Sequence, residues 1–388
     1  MKTYEDRGVS PHKPDVKKAV VGVSTNLYPG AFCWIIQDIL SADPERVLVT
    51  HADGAGTKSS LAYIVYKETG DPRVFRGIAQ DSLAMNVYDM IAVGAIGPYV
   101  LSNTIGRNAK LVPGEVIRAI IDGYVEQCDV LSKEGIDIMI GGGETADLGD
   151  LVRTLVVDTT LTASLRRSAV IDISKLKAGA SIVGLASFGR ARYETVDNSG
   201  IGTNGFSALR HELLSSKFLD TFPETYAPEI RAAAYQGRFA LSDPFPNTDT
   251  PLYTYLLSPT RIYAPIVKRI LEVVPNSIQG IINNSGGGQT KCMSFGSNVY
   301  YRKSAPIKPP PIFDFIQAES RAPLSELART YNLGCLLEIY CDPTVVDQVI
   351  AIAASYGVHA QWIGEVADSA HHRELTIDLW GEVAHWTE

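Results

Sequence analysis

The most informative stretch of the sequence is Arg46-Val47-Leu48-Val49-Thr50-His51-Ala52-Asp53-Gly54-Ala55-Gly56-Thr57-Lys58, followed by the apolar run Leu61 to Val65. Its apolar start and glycine-rich end predict a strand, a tight turn and a helix. The two glycines let backbone N–H groups approach an anion, and the lysine adds a point charge. Asp53 could hold a divalent cation. The spacing is not that of a Walker loop, and a simple connecting turn is the alternative.

The length and net charge of the chain limit its number of domains and the classes of partner it can bind. A chain of 388 residues predicts two domains, since a domain averages about 150 residues. The excess of 43 acidic over 35 basic residues gives a net charge of −8, which speaks against nucleic acid or an anionic membrane as the main partner. No stretch approaches the roughly 18 apolar residues of a membrane span, and no apolar signal region follows Met1. We therefore expect a soluble, cytoplasmic protein.

The cysteines and histidines form no recognisable metal or disulfide pattern. The five cysteines are odd in number, scattered and never spaced Cys-x-x-Cys, which favours buried reduced thiols. They are Cys33, Cys128, Cys292, Cys335 and Cys341. His51 is the histidine beside the glycine turn, and a hydrogen-bonded structural role is favoured for it over that of a general base.

Apolar runs alternate with amphipathic stretches along the chain, which predicts an α/β fold in two units, residues 1–167 and 168–388. The predicted strands are Val47–Thr50, Ile136–Ile140, Leu151–Thr162, Ile278–Ile282, Leu333–Tyr340 and Gln361–Val366, with a further apolar run at Ser181–Ala186. The predicted helices are Asp81–Ala95, Glu115–Lys133, Ile312–Ala318 and Val345–Ser355, with others beginning near Phe206 and Thr260.

Two acidic motifs lie in the first unit. Asp81 and Asp89 share a broad face of one predicted helix, and their separation of about 12 Å is too long for both to ligate one ion. They could serve two ions, or Asp81 could cap the helix. In the segment Ile136–Asp147 a predicted strand runs into Gly141-Gly142-Gly143. Because these glycines have no side chains, the next residue, Glu144, is expected to be accessible to a ligand. Together with Asp53, these acids suit oxygen ligation of magnesium that carries a nucleotide.

Three loops of the second unit are candidate anion sites because each is rich in glycine or donors near a predicted helix start. They are Ser199–Arg210, Leu257–Tyr263 and Ile281–Lys291. Opposite the acids and lysine of the first unit, they predict a phosphate-bearing ligand in the cleft between the units.

These motifs resemble those of the phosphoribosylformylglycinamidine cyclo-ligase (aminoimidazole ribonucleotide synthetase) family over nearly the whole chain. The matching segments are Asp53–Lys58, Asp81–Asp89, Gly142–Ala146, Thr203-Asn204-Gly205, Pro259–Tyr263, Pro310–Phe313 and Asn332-Leu333-Gly334. The resemblance implies a homodimer whose N-terminal domains join their sheets, a second α/β domain, and an ATP site between the domains. It also implies ATP-driven closure of formylglycinamidine ribonucleotide to aminoimidazole ribonucleotide, with release of ADP and phosphate, in purine biosynthesis.

The resemblance also implies roles for particular residues. Asp53, Asp81 and Glu144 would bind Mg²⁺, and Lys58, Asp81 and Asn204 would act in catalysis. The implied nucleotide contacts are Asp53, Gly54, Gly56, Thr57, Lys58, Gly142, Gly143, Thr203, Asn204, Gly205, Thr260 and Arg261.

The sequence departs from the family pattern at several positions. Gly202 stands where the family has a histidine, Tyr88 where it has an asparagine, and Ser102-Asn103 where it has Asp-Tyr. After Ser285–Gly288 the chain has Gln289-Thr290-Lys291 in place of the family's downstream Glu-Asn. These changes leave open a divergent cyclo-ligase, a kinase resembling thiamine-monophosphate kinase, and a nucleotide-binding homologue without catalysis.

Overall fold

The computed structural model describes residues 26–388 and, ahead of them, Ala19 alone. The first half of the chain forms one sheet whose strands are β1 (Ile35–Gln37), β2 (Arg46–Gly54), β3 (Tyr99–Arg107), β4 (Ile138–Asp147) and β5 (Leu155–Arg166). The strand order is β1-β2-β5-β3-β4, with β3 and β4 parallel and the other neighbours antiparallel. The helices of this half are α1 (Lys58–Thr69), α2 (Val74–Ala92) and α3 (Gly114–Lys133).

The sheet has one covered face and one open face. Along β5 the odd-numbered residues from Leu155 to Leu165 are buried, while the even-numbered ones are exposed or half-buried. This alternation places one row of side chains against the helices and the other row on the open face.

The second half forms a seven-stranded sheet in the order β14-β13-β10-β12-β6-β11-β9, with β7 and β8 as a separate pair. The strands are β6 (Ser181–Ala186), β7 (Phe188–Gly189), β8 (Asn198–Ser199), β9 (Ile278–Asn283), β10 (Val299–Lys303), β11 (Cys335–Cys341), β12 (Ala360–Asp368), β13 (Arg373–Leu379) and β14 (Glu382–Thr387). The helices are α4 (Phe206–Leu213), α5 (Lys217–Thr221), α6 (Leu252–Leu256), α7 (Ala264–Val273), α8 (Pro311–Ser320), α9 (Leu324–Thr330) and α10 (Val346–Ser355).

Helix α2 lies between the two sheets. It contacts β2 and β5 of the first sheet and β9 and α7 of the second half. From Asp81 to Ala92 the residues are buried, with Asp89 half-buried. This range of α2 is buried all round because elements of both halves cover the helix.

The α/β prediction is confirmed, and the predicted boundary at residues 167 and 168 falls in the connector between β5 and β6. Several predicted bounds are corrected. The helix predicted from Asp81 begins at Val74, so Asp81 is no helix cap, and the helix predicted from Thr260 begins at Ala264. Gly141, Gly142, Gly143 and Glu144 lie within β4 because this strand pairs with β3 as far as Asp147. The strands without a counterpart among the predicted ones are β1, β3, β7, β8, β10, β13 and β14.

The five cysteines are all free and buried, as the sequence predicts. None of the helices within residues 26–388 combines the length and the apolar character that a membrane crossing requires.

Candidate active site

Two helix N-termini meet across the boundary between the halves. Thr57 immediately precedes α1, Ser207 lies in the first turn of α4, and their hydroxyl oxygens are 3.0 Å apart. Neither helix has a side chain capping its first turn. Because first-turn N–H groups point out of a helix and carry a partial positive charge, this junction suits an anionic group.

A polar cluster lies beside this junction, where β2 ends against α2 and the loop after β9. We call His51, Asp53, Asp89, Asn283 and Lys291 the cleft cluster. His51 Nε2 lies 3.0 Å from Asp89 Oδ2, and the other oxygen of Asp89 accepts a hydrogen bond from Asn283 Nδ2 at 3.0 Å. Asp89 thus joins a strand of the first sheet to the end of a strand of the second.

The neighbours of the cleft cluster hold the glycine loops in place. Asn86 donates to the backbone oxygen of Asp53 at 3.0 Å, and its side-chain oxygen lies 3.1 Å from His51 Nδ1. Ser285, at the start of the glycine triplet, donates to Asn283 Oδ1 at 2.8 Å. The ammonium of Lys291 lies 5.0 Å from the centre of the Phe32 ring.

Burial and charge shift two pKa values of the cleft cluster. Burial raises the pKa of Asp53 above its usual value; the neighbouring Asp89 adds to this, while the Gly54 N–H, His51 and Lys291 oppose it. For His51, burial alone would lower the pKa, but the hydrogen bonds to Asp89 and Asn86 and the charges of Asp89 and Asp53 together outweigh it, and the pKa is raised. The cluster thus places two carboxylates within electrostatic reach of each other and of one imidazole and one ammonium group.

Lys58 and Asp81 contact each other and lie away from solvent. Lys58 Nζ is 2.9 Å from Asp81 Oδ2, and both side chains are fully buried. Burial lowers the pKa of Lys58 and raises that of Asp81, and their mutual attraction opposes both shifts. In this arrangement neither side chain reaches the cleft, so their predicted roles as ligand contacts stay predictions.

Thr260 and Arg261 are also buried and engaged by protein groups. Thr260 donates from its backbone N and its hydroxyl to Asp81 Oδ1, at 2.7 and 2.6 Å. Arg261 forms an ion pair with Glu194 at 2.7 Å and donates to the backbone oxygens of Ala186, Phe188 and Gly189. Arg261 as placed has no free face toward a ligand.

Glu144 lies on the open face of the first sheet. It pairs with Thr104 of β3, which pairs in turn with Asp158 of β5, and these three face away from the helices. Asp53 instead pairs with the buried Thr159, on the covered face. Within one chain, Asp53, Asp81 and Glu144 therefore do not converge, and residues 26–388 contain no group of three or more His, Cys, Asp and Glu side chains placed to hold a metal.

In the loop before α4, two side chains are engaged by protein groups, whereas the backbone lies beside the helix junction. Thr203 Oγ1 donates to Met85 Sδ at 3.0 Å, and Asn204 Nδ2 donates to the backbone oxygen of Thr330 at 2.6 Å. Gly205 begins α4 from a left-handed conformation with φ of 82°. The side chain of Asn204 thus fixes the loop against α9 and leaves the loop backbone beside the junction.

Two of the departures from the family pattern lie away from the cleft. Tyr88 is fully buried, donates to the backbone oxygen of Arg261 and packs on Tyr263. Ser102 is exposed on the open face, opposite Gly142. Both positions are therefore removed from the cleft cluster.

Sequence reasoning missed Asn283, Ser285 and Lys291 as individual site residues, although it selected the glycine loop that carries them. The triplet Gly286–Gly288 was the available signal. The contact between Asn283 and Asp89 joins residues 194 positions apart, and no local pattern reports such a pairing.

Two cavities lie outside the cleft cluster. One, of about 710 Å³, is bounded by Gly94–Pro98, the connector Ser168–Asp172 and the C-terminal end of α7. The other, of about 150 Å³, borders Ser258 and Pro259. The larger cavity contains none of the predicted site residues, so the chemistry of the side chains locates the candidate site better than the size of a cavity does.

Comparisons with known proteins agree with this architecture. Residues 33–164 match the model of the AIR synthase related protein N-terminal domain. Among solved structures, phosphoribosylformylglycinamidine synthase II of Thermotoga maritima superposes with a TM-score of 0.53 at 12% identity over 97% of this chain. The chain spans about half (48%) of that protein's length. A chain of a HypE–HypF complex gives a TM-score of 0.54 at 13% identity, covering 96% of this chain and 99% of that one.

Relatives at higher identity align along nearly the whole chain. The phosphoribosylformylglycinamidine cyclo-ligase of Methanocaldococcus jannaschii is 30% identical over 378 residues, which cover 95% of this chain and 93% of that protein. The cyclo-ligase of Symbiobacterium thermophilum is 28% identical, with 87% and 84% covered. On this evidence of shared sequence and fold, the chain belongs to the phosphoribosylformylglycinamidine cyclo-ligase family of enzymes.

Proposed function

We propose that the protein closes the imidazole ring of aminoimidazole ribonucleotide from formylglycinamidine ribonucleotide, using ATP and Mg²⁺ and releasing ADP and phosphate. The observation that carries the proposal is the full-length similarity to cyclo-ligases. A second support is the junction of α1 and α4, where two uncapped helix N-termini adjoin a cluster of carboxylates and cations.

The chemistry asks the protein mainly for positioning and charge stabilisation. Bound ATP would supply the phosphoryl group that turns the formyl oxygen into a leaving group while an amidine nitrogen attacks the same carbon. The N–H groups of Gly56 and Thr57 and of the loop Thr203–Gly205 would hold phosphate oxygens. Lys291, in the cleft cluster, would add a positive charge near them.

The carboxylates of the cleft cluster fit a divalent cation. The charge of Asp89 helps to raise the pKa of Asp53, and a cation would favour both ionised forms. We propose Asp53 as the carboxylate that binds Mg²⁺, with Asp89 beside it. A role for Glu144 would require a second copy of the chain to cover the open face, and a homodimer is part of the proposal.

The test is to measure ADP and aminoimidazole ribonucleotide together after adding formylglycinamidine ribonucleotide, ATP and Mg²⁺. We expect the two products in equal amounts. ADP without the imidazole would indicate a kinase of the kind that thiamine-monophosphate kinase represents. Nucleotide binding without ADP release would indicate a homologue that has lost catalysis.

A further inference from the structure

We infer that Lys58 and Asp81 form a clamp between the two halves of the chain and act as positioning residues, not as ligand contacts. Lys58 Nζ donates to Asp81, to the backbone oxygen of Gly202 at 3.0 Å and to that of Ser258 at 2.7 Å. An ammonium group has three N–H donors. All three are satisfied by protein acceptors, and none is left for a phosphate.

Asp81 completes the clamp from α2. Its Oδ1 accepts the backbone N–H and the hydroxyl of Thr260 in addition to the lysine. The pair thus holds three backbone groups of the second half, at Gly202, Ser258 and Thr260. These belong to the two loops that the sequence predicts as anion sites around Thr203–Gly205 and Thr260-Arg261.

The clamp fixes the spacing of the helix N-termini. Lys58 is the first residue of α1, and its ammonium lies 5.3 Å from the centre of the ring of Phe206, the first residue of α4. The adjacent hydroxyls of Thr57 and Ser207 are 3.0 Å apart. Loss of the lysine would free the loop before α4 to move relative to the glycine turn after β2.

Energetics favour a positioning role over simple stabilisation. Desolvation of two buried charges offsets much of their attraction, and a well-packed apolar pair often stabilises a protein as much or more. An apolar pair, however, cannot bond two carbonyls and one backbone N–H at the same time. The ionic pair therefore contributes mainly by fixing the positions of these backbone groups through hydrogen bonds.

Hydrogen exchange on the full chain without any ligand tests the clamp. In Lys58→Met we expect amides in residues 200–205 and 258–261 to exchange about tenfold faster or more, because their anchoring bonds are lost. Thr260→Val removes one hydroxyl donor and keeps the backbone bond, so it should accelerate exchange in residues 258–261 by less. This milder variant keeps the test decisive if Lys58→Met does not fold.

The matched control is Lys268→Met. Lys268 also joins the halves, through a 2.7 Å hydrogen bond from its ammonium to the backbone oxygen of Gly135, but this contact is exposed. We expect exchange in both loops to stay as in the wild type. If amides in residues 200–205 and 258–261 exchanged at the same rate in Lys58→Met, Thr260→Val and the wild type, the proposed clamp would be wrong.

The consequence for catalysis rests on the proposed ATP-dependent activity. In Thr260→Val we expect KM for ATP to rise about threefold or more with a smaller change in kcat, because misplaced loops weaken binding before they alter the chemical step. Unaltered loop exchange in Lys58→Met with loss of nucleotide binding by calorimetry would instead make Lys58 a direct ligand contact. A wild type without activity would count against the proposed function only, since the exchange experiment needs no substrate.

Discussion

Gly202 has φ of 72°, within the left-handed region that residues with a Cβ seldom adopt, and its carbonyl accepts a hydrogen bond from Lys58. A Cβ at this position would meet its nearest neighbour, Asn332 Nδ2, at an ordinary 3.4 Å. Glycine is therefore favoured at this position by the positive φ of the backbone and not by a lack of space for a side chain. This gives a physical reason for the absence of the histidine that the family pattern has there.

We expect Gly202→Ala to lower the free energy of unfolding by about 1 kcal/mol, the usual cost of holding a non-glycine residue in this conformation. Chemical denaturation measures the difference. Gly286→Ala is the control, because Gly286 has no neighbouring atom within 4 Å of an added Cβ and no positive φ. A loss in Gly286→Ala equal to that in Gly202→Ala would contradict the explanation from backbone strain.

The ion pair of His51 and Asp89 predicts a pH dependence of stability. The pKa of His51 is raised above its ordinary value of 6.5 in the folded state. The unfolded chain releases that proton first as pH rises, so the stabilisation is fully present below the unfolded pKa and is lost as pH passes the folded pKa. We expect Asp89→Asn to destabilise the protein more at about pH 6 than at about pH 9.

Denaturant unfolding at the two pH values measures this effect. His51→Gln is the reference, because in that background Asp89→Asn should cost the same at both pH values. A cost of Asp89→Asn in the wild type that is independent of pH would show that the carboxylate acts through Asn283 alone.

At the level of elements, α2 connects the halves through two acids on one helix. Asp81 holds the loop at Ser258–Thr260, and Asp89 holds the end of β9 at Asn283. Their separation along the helix, which argues against one shared ion, suits two separate contacts with the second half. The same residues that suggest metal ligation in the sequence thus join α2 to the second half.

The turn between β2 and α1 is the element where nucleotide chemistry is most directly testable. Asp53→Asn should weaken Mg²⁺-dependent ATP binding about tenfold or more and leave the fold intact, because it removes one charge at a strand end while keeping the shape of the side chain. Calorimetric titration with ATP at several Mg²⁺ concentrations measures this. Asp150→Asn, an exposed acid in the loop between β4 and β5, should change nothing, and equal binding in the two variants would remove Asp53 from the site.

How far the sequence predicts these elements depends on how local their causes are. The strand, turn and helix around Asp53–Lys58 and the glycine start of α4 are predicted, although β2 continues to Gly54, because glycine and the change of periodicity act within a few residues. Gly141–Gly143 were expected in a loop, yet they continue β4, because pairing with β3 outweighs a weak strand propensity.

The candidate site likewise has features that the local sequence predicts and features that depend on contacts between distant residues. The sequence predicts candidate anion loops from their glycine content, whereas the burial of Lys58 and Asp81 follows from the second half closing over α2. Neither burial nor the contact of Asp89 with Asn283 leaves a local pattern in the sequence.

At the scale of the whole molecule, the open face of the first sheet carries an apolar patch where Val100 pairs with Met139, and Val156 lies farther along the same face, opposite Gly106. Val100, Met139 and Val156 are 51%, 71% and 42% exposed, and within residues 26–388 the edge strand β4, which carries Met139, has no partner strand on its outer side. Such a patch beside an open edge is typical of an interface. The homodimer proposed above, with joined sheets, would cover it.

We expect Met139→Glu to weaken self-association by about tenfold or more, since a charge would be buried in the interface at a cost of about 1.4 kcal/mol or higher. Sedimentation or light scattering over a range of protein concentrations measures the dissociation constant. Val273→Glu, on α7 in the second half, is the matched control because Val273 is 42% exposed and lies outside the first sheet. If Val273→Glu dissociated the protein and Met139→Glu did not, the interface would lie on the second half. If the wild type were monomeric at all concentrations, the open face would not be covered by a second copy, and Glu144 could take no part in the site.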